Sequence, residues 1–134
     1  MPLLDLTPDE LLSTTRAVRR RLDLSCPVEH EVPAHVFACI EGRPEGLAPA
    51  DLAWFYGSII QAGWSFQLAA RARGLGGVWT THHLDYEREA AEVLGIPYAD
   101  VTQVALLPVA YTVGTDFKAA KRNPLETVLH WQSW

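Results

Sequence analysis

The chain has 134 residues, 49% hydrophobic and 20% charged, the size and apolar content of one globular domain with a core to bury. Eleven Lys and Arg against 16 Asp and Glu give a formal net charge of -5, which excludes a global positive field for nucleic acid or an anionic bilayer. The two cysteines, Cys26 and Cys39, lack metal-type spacing, no basic flank or long apolar run marks an export signal, and no apolar stretch reaches the roughly 18 residues of a membrane span. A soluble protein of the reducing cytoplasm is expected, in which any bound anion is held by a local cluster.

Thr7-Pro8-Asp9-Glu10 supplies a capping hydroxyl, a proline at the first helical position and a glutamate at the capping-box position. The spacing of Leu11, Thr15, Val18 and Leu22 predicts a helix to about Leu22, with Arg16, Arg19 and Arg20 opposite, before Asp23 and Pro27 interrupt it. Val32 to Ile40 is short, apolar and partly β-branched and predicts a buried strand, followed by a turn-rich loop over 41–46. From Pro49 to Arg73, Leu52, Phe55, Ile59, Phe66 and Ala70 lie near one helical face and predict the longest helix, terminated at Gly74. Trp54, Tyr56 and Trp64 fall off that stripe, and Gly57 and Gly63 would allow another helix to approach closely. The long helix is therefore expected to be central or a dimer seam.

Gly76 to Thr81 predicts a turn into a short strand, and Asp85 then caps a helix, Tyr86 to Leu94, that stops at Gly95. Val101 to Val113 predicts a strand whose Pro108 marks an edge or a bulge. An irregular basic tail over 114–123 leads to a closing helical turn or two at 124–129. Strands interleaved with helices indicate an α+β fold of mixed layers, a single domain over 1–134.

Three groups could carry chemistry. Arg16, Arg19, Arg20 and Arg21 are either a phosphate clamp, which the planar guanidinium fork suits, or a solvated helix end where positive charge complements the macrodipole. Lys118, Lys121 and Arg122 could converge on the same anion or belong to a solvated tail. Thr80-Thr81-His82-His83 places hydroxyls and imidazoles after a predicted strand, but adjacent histidines point apart there, so no metal is expected. Gly74-Leu75-Gly76-Gly77 follows a helix and reads as a helix stop, not a dinucleotide fingerprint.

Taken together, Thr-Thr-Arg-Ala-Val-Arg-Arg at 14–20, Ala-Arg-Gly-Leu-Gly-Gly-Val-Trp-Thr-Thr at 72–81, Leu-Gly-Ile-Pro at 94–97 and Lys-Arg-Asn-Pro-Leu-Glu at 121–126 resemble the FMN-dependent nitroreductase family. The resemblance implies a sheet flanked by helices and a homodimer with flavin at the subunit interface. It also implies a ping-pong transfer of reducing equivalents from NAD(P)H to a nitroaromatic, quinone or similar acceptor. Under it Arg16 and Arg19 match the positions that hold the FMN phosphate and ribityl chain, and Ala17 stands where many members have serine. Trp79, Thr80 and Thr81 match the stretch against the isoalloxazine, and Arg122 matches the late arginine that returns to the phosphate. Between Val28 and Val32 the chain lacks the internal segment of dozens of residues that this family normally carries, including part of the flavin pocket. A non-catalytic dimerising remnant that binds flavin weakly or not at all is the alternative expectation.

Overall fold

Among the described residues three antiparallel strands make one sheet in the order β1 (Ala34–Glu41), β3 (Val101–Tyr111), β2 (Leu75–Gly77), so the last of them in sequence is the middle one in space. The computed structural model describes residues 3–17 and 32–134. Alternate residues of a pleated strand share a face. Ala105, Leu107 and Val109 of β3 and Ala38 of β1 accordingly form the buried centre of the core. Ile59 and Phe66 of helix α2 (Pro49–Arg71) pack on it, with Val36, Leu75 and Trp79. The fold is α+β, as expected.

The second edge of β3 is completed piecemeal. Thr112 N–H donates to the Gly74 carbonyl (3.0 Å), Ala110 pairs with Gly76, and Leu106 exchanges two backbone hydrogen bonds with Thr80 at 2.9 and 3.0 Å. Pro108 shares this orientation and has no N–H to offer. It falls in the gap between Gly77 and Thr80, where residues 78 and 79 leave the ladder. The expectation that Pro108 marks an edge strand is thus corrected: it lies in the central strand, at the interruption of one ladder. The register irregularity lies elsewhere, where Ala38 pairs with Ala105 and Cys39 with Gln103, skipping Val104. The short strand expected over 76–81 is β2 plus the isolated Thr80 bridge.

Helix α1 (Pro8–Thr14) has the expected capping box: Thr7 Oγ1 accepts from Glu10 N–H (3.2 Å) and the Glu10 carboxylate accepts from Thr7 N–H (2.9 Å). It ends at Thr14, not near Leu22, with Thr15 extended at ψ 117. The hydroxyls of Thr14 and Thr15 donate back to the carbonyls of Glu10 (2.5 Å) and Leu11 (2.6 Å), a competing local bond that disfavours helix continuation. Residues 18–22 of the expected helix, with Arg19, Arg20 and Arg21, lie outside the described residues, as does Cys26.

Helix α2 ends at Arg71, two residues before the expected Arg73, and Gly74 turns the chain at φ +73. Trp79 corrects the reading of Gly63: a Cβ there would sit 2.5 Å from Trp79 Cζ3, so this chain's own indole fills the notch. A Cβ on Gly57 would meet nothing within 4 Å. Asp85 lies inside a 3₁₀ turn (His82–Tyr86) and is not the cap; helix α3 (Glu87–Leu94) starts where Glu87 is anchored to β3 and ends at Gly95, φ +68. The closing turn is 3₁₀, Leu125–Thr127.

Candidate functional site

The end of α1, the last turns of α2 and β2 surround a cavity of about 20 Å³, lined by Thr15, Arg16, Gln67, Arg71 and Gly76 among others. Arg16 is exposed and lines it beside buried Thr15, whereas Ala17 is exposed and does not line it. Arg71 is only 4% exposed. Its Nε donates to Thr14 Oγ1 (3.2 Å), its Nη2 donates to the Thr115 carbonyl (2.8 Å), and the guanidinium lies 4.8 Å from the centre of the Phe117 ring. The tail is held again where Ala120 N–H donates to the Ser13 carbonyl (3.1 Å). Arg122 therefore follows a contact with α1 by two residues, and Arg16 follows the same contact by three.

Trp79, Thr80 and Thr81 form a wall beside β3. Trp79 packs into the core against Gly63, Thr80 is clamped to Leu106 and Thr81 is exposed. A cavity of about 20 Å³ has room for a water molecule. An isoalloxazine needs a cleft of roughly 300 Å³ or more. In a single chain the cavity is too small for that ring system, and its cationic lining is Arg16 and Arg71.

On the other face of the sheet lies a polar clasp that the sequence reading missed. Arg43 donates from Nη1 and Nη2 to the two carboxylate oxygens of Glu87 (3.0 and 3.2 Å) and from Nη2 to Glu45 (2.7 Å), and its guanidinium lies 4.3 Å from the Tyr98 ring centre. Glu87 also accepts the Gln103 N–H at 3.0 Å, standing in for a strand partner on β3. The hydrogen bonds to Glu45 and then Glu87 raise the Arg43 pKa, and Arg43 lowers that of Glu45. An arginine between turn-forming glycines, Gly42 and Gly46, was the only local sign of it.

Beside the clasp, His83 meets the Phe37 ring edge-on at 5.5 Å, and both its ring nitrogens are buried without a hydrogen-bond partner. Burial pushes its pKa down, against a smaller upward pull from Glu87, and the same two influences both push the Cys39 thiol up. His82 is exposed. Among the described residues no group of three His, Cys, Asp or Glu could hold a metal ion, and no helix is long and apolar enough to cross a membrane.

The model of the nitroreductase family matches residues 33–114, more than half of the chain. The chain belongs to the nitroreductase family. The match opens just before β1 and runs through β3. Among solved structures, the nitroreductase-like family protein from Bacillus cereus is 22% identical with a TM-score of 0.59; the alignment covers 77% of this chain and 53% of that one. The chain thus spans about half the length of that relative. A protein from Parabacteroides distasonis ATCC 8503 named as an NADH dehydrogenase/NAD(P)H nitroreductase is 19% identical (TM-score 0.59), over 93% of this chain and 97% of the other. Iodotyrosine deiodinase, solved with FMN and 3-iodo-L-tyrosine, is 17% identical (TM-score 0.58), over 94% and 99%. At these identities the likeness is one of fold. No curated protein matches the sequence.

Proposed function

We propose that this nitroreductase-family chain is an FMN-dependent oxidoreductase of the cytoplasm, taking reducing equivalents from NAD(P)H to a nitroaromatic, quinone or similar acceptor. The observation that carries this reading is the return of the tail to the end of α1 through Ala120 and Ser13, which brings the segments bearing Arg16 and Arg122 together. Bound FMN would supply the chemistry, accepting a hydride and passing it on. Arg16, Arg19 and Arg122 hold its phosphate by charge-assisted bonds, and Trp79, Thr80 and Thr81 form one wall for its ring.

The second wall comes from a second copy. The outer face of α2 exposes Trp54 (75%), Ile60 and Trp64, with open space at Gly57, an apolar stripe suited to a homodimer seam. The small cavity favours a second reading, a dimerising remnant that binds flavin weakly or not at all. Titration with FMN, followed by flavin fluorescence and melting temperature, separates the two. Saturable binding that raises Tm and supports NADPH oxidation, however slow, carries the first. A colourless protein whose Tm FMN leaves unmoved carries the second.

A further inference from the structure

Arg71 has no part in any motif, and in the sequence it is one more charge near a helix end. A buried guanidinium is costly to desolvate, and an apolar side chain at the end of α2 would serve stability at least as well. What a planar fork adds is geometry: it can fix two separate segments at set angles to one another. Here the segments are the end of α1, through Thr14, and the tail, through Thr115 and Phe117. The two segments also meet each other where Ala120 N–H donates to the Ser13 carbonyl, and the lead-in to α1 is tied to α2 where Leu4 N–H donates to the Ala72 carbonyl. α1 has no buried residue, and residues 121–134 are exposed throughout.

From this we infer that Arg71 is a positioning residue: it fastens the end of α1 and the tail to α2 so that Arg16 and Arg122, one on each segment, grip the same phosphate group. The inference rests on the flavin reading above and assigns Arg71 a role through the other two arginines, not as a ligand itself.

FMN and riboflavin differ by the phosphate alone, so the ratio of their affinities reports the clamp and nothing else. Arg71→Lys keeps the charge but cannot span Thr14 Oγ1 and the Thr115 carbonyl with one planar group. In that variant FMN affinity falls about tenfold while riboflavin affinity holds. Thr14→Val, a milder change at the other end of one bond, shifts the ratio in the same direction. In the Arg71→Lys background, Arg122→Ala costs nothing further, because the residue it removes is already out of place. Equal losses for both flavins, an intact FMN affinity, or an additive loss from Arg122→Ala would each overturn the inference; the last would make Arg71 a direct ligand.

A ligand-free measurement keeps the two readings apart. Amide exchange at Ala120 is slow in the wild type and fast in both variants if Arg71 holds the tail. Should the wild type bind neither flavin, the flavin reading fails, and unchanged exchange at Ala120 would by itself dispose of the strut.

Discussion

The indole of Trp79 occupies the space that any side chain at position 63 would need, lying 2.5 Å from where its Cβ would be. This residue of the wall thus takes its position from a glycine on α2. Gly63→Ala gains roughly 1 kcal/mol of helix propensity but forces the ring to move, at about 1 to 3 kcal/mol, for a net loss. Gly57→Ala meets nothing within 4 Å and gains the propensity alone in an isolated chain. Urea melts of the two variants should move in opposite directions, with the indole emission of Gly63→Ala also altered.

Removing Glu87 takes a partner from Arg43 and leaves the Gln103 N–H buried without an acceptor. Glu87→Ala should cost about 2 to 4 kcal/mol in a denaturant titration. Glu45→Ala, at an exposed carboxylate of the same clasp, should change stability little, since solvent screens that pair.

The pH dependence follows from His83. Burial lowers its folded-state pKa below the ordinary 6.5, so the unfolded chain takes up a proton before the folded one does. Its contribution is fully present above about pH 6.5 and is lost as the pH falls through the folded value. The Tm of the wild type should therefore drop faster than that of His83→Leu between pH 7 and pH 5. Parallel curves would mean that the imidazole charges freely in the folded protein.

Ile60→Glu places a charge in the exposed stripe of α2 without touching the core. If the stripe is the seam, light scattering at micromolar concentration should give a dimer for the wild type and a 15 kDa species for the variant. A wild type already monodisperse at 15 kDa removes the seam.

Features set by neighbours in sequence were legible. The Thr7–Glu10 capping box, the stops at Gly74 and Gly95 and the apolar runs of β1 and β3 each depend on a few adjacent residues, and all are where the pattern put them. The end of α1 departs from the expectation because the back-bonding hydroxyls of Thr14 and Thr15 outweigh the apolar spacing that runs through Leu22. Pro108 could not be placed because strand order is a property of the whole sheet, and the gap it occupies is made by a loop some thirty residues earlier. Arg71 and Arg43 were out of reach for the same reason: their partners Thr14 and Glu87 are 57 and 44 residues away. Of the candidate site, the cationic segments were visible as composition, but what gathers them was not.

Placing the last strand in the middle of the sheet also orders events as the chain emerges from the ribosome. Ala105, Leu107 and Val109 carry most of the buried centre, so β1 and α2 have no platform until β3 has been made. The 31 residues of β1 and α2, 8 and 23 respectively, must wait in an uncommitted state, in a topology dominated by non-local pairing. A chain halted before Tyr111 should therefore be a ready client for chaperones and proteases, and the step that ends that exposure is the arrival of a single strand.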